Sequence, residues 1–210
     1  MNDLITVLDD LSLVIEKKND IKILEIGTGT GENSTKILFN YFLNKYEDFE
    51  IVSYEGDNAL YDVANKVWKY TSNVKIVNEY FSDKEDIINL LIPNLPEYII
   101  DYNETNERFT KKYQKIYDNY HNPFTTLDYI PDYIFIDCSR FMHLTIINFC
   151  YNMFKSNPNC IYIIEDDYFV NGNYGELEII EKHFKLDIIK KYKKGSWQWP
   201  FVTFKIVEKN

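Results

Sequence analysis

The segment from Ile21 to Leu38, Ile-Lys-Ile-Leu-Glu-Ile-Gly-Thr-Gly-Thr-Gly-Glu-Asn-Ser-Thr-Lys-Ile-Leu, joins a short apolar run to three alternating glycines and then to a helical apolar period. It reads as a strand, a tight turn and a helix, which commits this part of the chain to an α/β unit. Glycine has no Cβ, so Gly27, Gly29 and Gly31 let the backbone take positive φ and let a ligand lie directly against it. The free N–H groups at the start of the following helix then face that ligand.

The residues between and around these glycines narrow the choice of ligand. A dinucleotide fingerprint needs Gly-x-Gly-x-x-Gly, and here Glu32 stands where the last glycine would be. No Gly-Lys-Ser/Thr follows, so a Walker phosphate loop is excluded. Glu25 closes the strand and puts a carboxylate beside that ligand, which Thr28 of the loop is also expected to touch. That charge disfavours a polyphosphate and suits a ligand carrying an ammonium group, which points to S-adenosylmethionine over ATP or a dinucleotide.

Strand and helix signals alternate along the rest of the chain. A leading helix spans Leu4 to Ile15, the glycine-loop helix runs from about Ser34 to Tyr46, and a second strand, Glu50 to Tyr54, ends at Glu55-Gly56. Asn58 to Tyr70 reads as a helix and Val74 to Val77 as a third strand, with Ser82 or Asp83 able to cap a helix through Leu91. Further strands are expected at Tyr133 to Ile136 and Cys160 to Ile164, with helices at Met142 to Phe154 and Glu176 to Phe184. Asp187 to Tyr192 and Trp197 to Val207 flank Lys193-Lys194-Gly195-Ser196 as a terminal hairpin. The expected fold is therefore α/β: a doubly wound, mostly parallel seven-stranded sheet with an antiparallel ending.

With 210 residues, one domain spanning 1–210 is expected. The stretch of about 93–131, rich in Tyr, Asn, Asp and Lys, breaks the alternation and reads as an insertion: a lid, a substrate element or a dimer arm, the last implying a homo-oligomer. An amphipathic helix over Glu107 to Tyr120 fits within it, and Tyr98, Tyr102, Tyr113, Tyr117 and Tyr120 could stack on a ring or sugar face or serve in packing. A net charge of −10 disfavours nucleic acid and anionic membranes as partners. No apolar segment has the length of a membrane span, and the N-terminus lacks a signal peptide's charge order, so a cytoplasmic protein is expected. Cys138, Cys150 and Cys160 have no paired spacing and read as reduced thiols without a zinc site.

The order strand, Glu-x-Gly-x-Gly-x-Gly, helix, strand ending in Glu55, and terminal antiparallel hairpin resembles the class I S-adenosylmethionine-dependent methyltransferases over nearly the whole chain. The resemblance implies that Gly27, Gly29 and Gly31 lie against the methionine moiety of S-adenosylmethionine, with Asn33 or Ser34 at its carboxylate. It implies that Glu55 accepts the ribose hydroxyls and that Ser82 and Asp83 stand where adenine and its exocyclic amine are held. Helix capping is the competing role for Glu55, Asn33 and Ser34.

A second set of carboxylates follows the fourth and fifth strands: Asp137 in Ile136-Asp137-Cys138, and Asp166 with Asp167 in Ile164-Glu165-Asp166-Asp167. Neighbouring parallel strands would bring them to one crevice, and three hard oxygen ligands suit Mg²⁺. The arrangement is similar to cation-dependent O-methyltransferases of the catechol and macrocin types, which implies a metal site at Asp137, Asp166 and Asp167. Macrocin-type enzymes show Ile-Asp-Gly-x-His, whereas this chain has Ile-Asp137-Cys-Ser-Arg140 and a displaced His143. Asp137 and His143 are the candidate catalytic bases, although a histidine in the first turn of a helix beside Ile146, Ile147 and Cys150 is more often a packed one.

The expected function is O-methylation of a small hydroxylated molecule, such as a sugar, with S-adenosylmethionine as donor and a divalent cation assisting. The alternatives are a protein or RNA methyltransferase, against which stands the lack of an Asn/Asp-Pro-Pro-Tyr motif after the fourth strand, and a degenerate donor-binding scaffold subunit.

Overall fold

A computed structural model of the protein describes residues 2–14, 19–94, 106–118, 120, 127, 129–138, 142–155, 157, 159–165, 169–170, 173–192 and 201–210. The first part of the chain runs α1 (Asn2–Ser12), β1 (Asp20–Ile26), α2 (Ser34–Lys45), β2 (Asp48–Tyr54), α3 (Asn58–Trp68) and β3 (Val74–Val77). A helix α4 starts at Lys84–Asp86 and continues as a π-helical turn, Ile87–Leu91, within which Ile87 and Leu91 are both buried. Then come α5 (Asn106–Asp118), β4 (Tyr133–Ile136), α6 (His143–Phe154) and β5 (Ile161–Glu165). A two-residue pair, β6 (Phe169–Val170) and β7 (Asn173–Tyr174), which no periodicity announced, precedes α7 (Gly175–His183), β8 (Phe184–Tyr192) and β9 (Phe201–Lys209).

Seven strands form one sheet in the order β3-β2-β1-β4-β5-β9-β8. The first five are parallel to one another, and β9 inserts antiparallel between β5 and β8. The sheet is thus the one expected, with small shifts of boundary. One such shift is at β8, which starts at Phe184, a residue that the apolar pattern assigns to the preceding helix. The tip of the terminal hairpin, 193–200, lies outside the described residues, and with it Trp197 and Trp199.

Alternation along the central strands builds two cores. Ile21 and Ile23 of β1, Phe135 of β4 and Ile163 of β5 face one layer, where Leu8 of α1, Phe42 of α2 and Trp68 of α3 close over them. Leu24, Ile26, Ile134, Ile136 and Ile164 face the other, against Ile87, Tyr113, Ile147 and Leu177. Each large apolar side chain so buried contributes about 1.5–3 kcal/mol relative to exposure. Tyr113, a candidate for stacking on a substrate, is fully buried in the second core.

β1 and β4 are neighbours in the sheet, but the chain leaves β1 toward β2 on one side and returns to β4 on the other. Such a reversal opens a crevice at the carboxyl ends of the strands, where side chains from both halves can converge.

Candidate functional site

That crevice holds a cavity of about 480 Å³, lined from β1 and its loop by Ile26, Gly27, Thr28, Gly29, Asn33 and Ser34. The end of β2 contributes Tyr54, Glu55, Gly56 and Asp57, the end of β3 contributes Glu79 to Ser82, and the end of β4 contributes Asp137 and Cys138. Its volume lies in the range of small-molecule and cofactor sites.

All three glycines of the loop have positive φ, at 97°, 56° and 74°. Their spatial duties differ. A Cβ on Gly27 would sit 1.7 Å from the carbonyl oxygen of Asp137, so glycine here lets the β1 loop pass against the end of β4. A Cβ on Gly31 would meet the Trp68 ring at 2.7 Å, and the Trp68 Nε1–H donates to the Gly31 carbonyl at 2.8 Å. Gly31 therefore packs the loop onto α3 and does not line the cavity. Gly29 has open space where its Cβ would be, and faces the cavity.

Glu25 is fully buried and is not a cavity-lining residue. Its carboxylate lies under the loop, accepting from Ser53 Oγ at 2.6 Å and Thr35 Oγ1 at 2.7 Å, and Ser53 Oγ in turn meets Thr28 Oγ1 at 2.6 Å. These bonds form a polar knot that ties β1, β2 and the first turn of α2 together beneath the loop. Its other oxygen, Oε1, is buried without a hydrogen-bond partner. Burial pushes the Glu25 carboxyl up to about 7, against the opposing hydroxyl donors.

Glu55 stands at the cavity, accepting from the Gly29 N–H at 2.8 Å and the Asp57 N–H at 2.9 Å. Burial raises its pKa, the two N–H groups working the other way. Helix capping at this place falls to Asp57, which accepts from the N–H groups of Ala59 and Leu60. Asn33 occupies the N-cap position of α2 but makes no side-chain capping bond, and both Asn33 and Ser34 line the cavity. Positive helix-terminal charge is therefore turned toward the space between the loop and β4.

At the far end, Ser82 lines the cavity, whereas Asp83 does not. Asp83 is the N-cap of α4, accepting from the Glu85 N–H at 2.9 Å. The sequence reading missed Tyr80 and Gly56. A Cβ on Gly56 would come within 2.5 Å of the Tyr80 ring, so the glycine makes room for that ring. Tyr80 stacks on Tyr120 of the insertion at 5.1 Å, and the Tyr120 hydroxyl donates to the Ser82 carbonyl. Apolar lining adjacent to glycine was the available signal, but the contact with Tyr120 spans 40 residues.

The β4 side is organised differently. Asp137 and Cys138 line the cavity, while His143, the first residue of α6, lies behind them, 1% exposed. His143 Nδ1 lies 2.5 Å from the carboxylate of Glu176, which is buried in the first turn of α7. Burial works against the imidazolium, but the Glu176 carboxylate outweighs it and, with a hydrogen bond to Cys138, holds the His143 pKa well above its usual value. His143 is thus an ion-paired residue one layer behind the cavity-lining Asp137 and Cys138. Glu176 had no sequence signal beyond its place at a helix start. Burial pushes the Cys138 thiol up, with His143 opposing.

Of the expected metal set only Asp137 is described; Asp166 and Asp167 lie outside the described residues. Among the described residues no group of three or more His, Cys, Asp or Glu is placed to hold a metal ion. None of the described helices is long and apolar enough to cross a membrane.

No protein-family model and no curated protein matches the sequence. Solved structures do. The N-methyltransferase NodS of Bradyrhizobium japonicum aligns over 98% of this chain and 97% of its own, with 11% identity and a TM-score of 0.51. Fibrillarin of Aeropyrum pernix, with natively bound S-adenosyl-L-methionine, aligns over 95% of this chain and 74% of its own, with 10% identity and a TM-score of 0.52. A Listeria monocytogenes protein, provisionally described as a class I S-adenosylmethionine-dependent methyltransferase, aligns over 97% of this chain and 59% of its own, with 15% identity and a TM-score of 0.53. At these identities the likeness is one of fold: the chain has the Rossmann-like α/β fold of the class I S-adenosylmethionine-dependent methyltransferases, with antiparallel strands at its C-terminal end.

Proposed function

We propose that the protein binds S-adenosylmethionine in the cavity at the ends of β1, β2 and β4 and transfers its methyl group to a hydroxyl of a small molecule. The observation that carries the reading is the pairing of Glu55 with an open, positive-φ Gly29 across one cavity. A carboxylate held by two backbone N–H groups is already oriented, so adjacent ribose hydroxyls can donate to it at little entropic cost. Asn33, Ser34 and the unfilled N-cap of α2 suit the donor's carboxylate. Tyr54, Tyr80, Phe81 and Leu60 supply apolar walls that suit a purine.

The bound donor would supply an electrophilic methyl group on a sulfonium. The chain's part is to align an acceptor oxygen and remove its proton. Asp137 is the candidate for that proton, because its place at the end of β4 puts it at the cavity next to Cys138. Cation assistance through Asp137, Asp166 and Asp167 is the finer part of the proposal; it rests on the end of β4 lying beside β5, with Ile136 opposite Ile164.

Supplying methyl-labelled S-adenosylmethionine with a panel of glycosides and phenols, with EDTA or Mg²⁺, tests this reading. Label in a small extractable product supports it. Label only in protein or RNA would overturn the choice of acceptor, and donor binding with no transfer to anything would favour a scaffold role. Dependence of the rate on Mg²⁺ decides the finer part separately.

A further inference from the structure

α3 packs on the sheet through Ala64 and Trp68, which are buried. A second stripe on the same helix points outward: Leu60 is 39% exposed, Val63 43%, Val67 45% and Tyr70, just past the helix, 88%. Their spacing of three, four and three residues is that of a helix–helix seam and not of scattered surface residues. Leu43 of α2, 54% exposed, is one turn on from Phe39, whose ring contacts Trp68 at 5.2 Å, so the apolar patch continues past α3.

The stripe is complementary to itself. If two copies of α3 lie antiparallel about a two-fold axis at Asn65, Leu60 of each meets Tyr70 of the other and Val63 meets Val67. The charged flank follows the same rule. Asp62 and Lys66 are both exposed on one side of the stripe, and the antiparallel pairing sets each Asp62 near the other copy's Lys66, giving two symmetric opposite-charge contacts. A parallel pairing would instead put like residues side by side.

We propose that this stripe is the interface of a homodimer, in which α3 packs antiparallel against α3 of a second copy of this chain. Three helical turns a side is less than the roughly 800 Å² per partner of a standard interface, so the dimer is reversible and concentration-dependent. Because Leu60 also lines the cavity, the second copy lies against one wall of the site.

Sedimentation equilibrium of the full chain over a wide concentration range tests this. The wild type is expected to self-associate to a dimer, and Val63→Glu with Val67→Glu is expected to leave it monomeric with the melting temperature of the dilute, dissociated wild type, since both positions are exposed. Asp62→Lys alone and Lys66→Asp alone are each expected to weaken the dimer, and the two together to restore it. A wild type monomeric at every concentration would overturn the proposal. So would a dimer that survives the paired valine substitution, or a double charge swap that associates no better than either single one.

Discussion

The two walls of the cavity are built on opposite principles. The β1–β2 wall is a network of hydroxyls, backbone N–H groups and glycines, in which Glu25, Thr28, Thr35 and Ser53 interlock over short hydrogen bonds and Glu55 clasps Gly29. The β4 wall rests on a buried ion pair, His143 with Glu176, that joins the N-termini of two helices behind Asp137 and Cys138. The first wall distributes its polarity over many small neutral donors around two carboxylates, Glu25 and Glu55. The second concentrates it in a pair of charges, and losing one partner strands the other in the core.

The junction between the walls is the most sensitive point. Gly27→Ala is expected to cost more than about 4 kcal/mol, because the added Cβ would lie 1.7 Å from the Asp137 carbonyl and φ is 97°, so both walls must move apart. Chemical denaturation measures this, and a loss near 1 kcal/mol would mean that the walls are not in contact there.

Next in size, Glu176→Gln is expected to destabilise by about 3–5 kcal/mol, while a double replacement of His143 and Glu176 by apolar residues recovers much of it. Equal losses in single and double variants would remove the contrast between the walls.

A pH series separates them further. Glu25 is pushed up to about 7 when folded, from an ordinary value of 4.5, so the folded protein retains a proton that the unfolded chain releases in that interval. Stability is expected to fall by about 3 kcal/mol as pH rises from 4.5 to 7, and Glu25→Gln should flatten that slope. The raised His143 acts above this window: its contribution is complete below its unfolded pKa and is lost as pH climbs through the higher folded value. Glu176→Gln should therefore alter the alkaline limb of the curve and Glu25→Gln the acid one. The smallest effect is expected at Gly29→Ala, about 1 kcal/mol, since only its φ of 56° opposes a side chain and nothing lies within 4 Å.

The same contrast explains what the sequence could disclose. The β1–β2 wall was legible because its requirements are local: alternating glycines, a strand-end carboxylate and a helix start fall within a few residues of one another. The seven strands were legible for the same reason, their apolar periods marking each one. What was not legible depends on residues distant in sequence. Glu25 has the right type at the right place, but its direction beneath the loop follows from Ser53, which only the pairing of β1 with β2 brings near. The His143–Glu176 pair joins helices 33 residues apart, and the Tyr80–Tyr120 stack joins a β3 loop to the insertion. Gly31 illustrates the intermediate case: it was found by its spacing, yet its duty is to admit the edge of Trp68.

The claim on which the function depends is that the Glu55 side of the cavity holds the ribose of S-adenosylmethionine. Isothermal titration of the wild type and Glu55→Ala with S-adenosylmethionine tests it most directly. The account predicts saturable one-site binding by the wild type and a loss of about 10- to 100-fold in affinity on removing a charged acceptor of two hydroxyl hydrogen bonds. A wild type that gives no binding heat at several temperatures, or a variant with unchanged affinity, would contradict it.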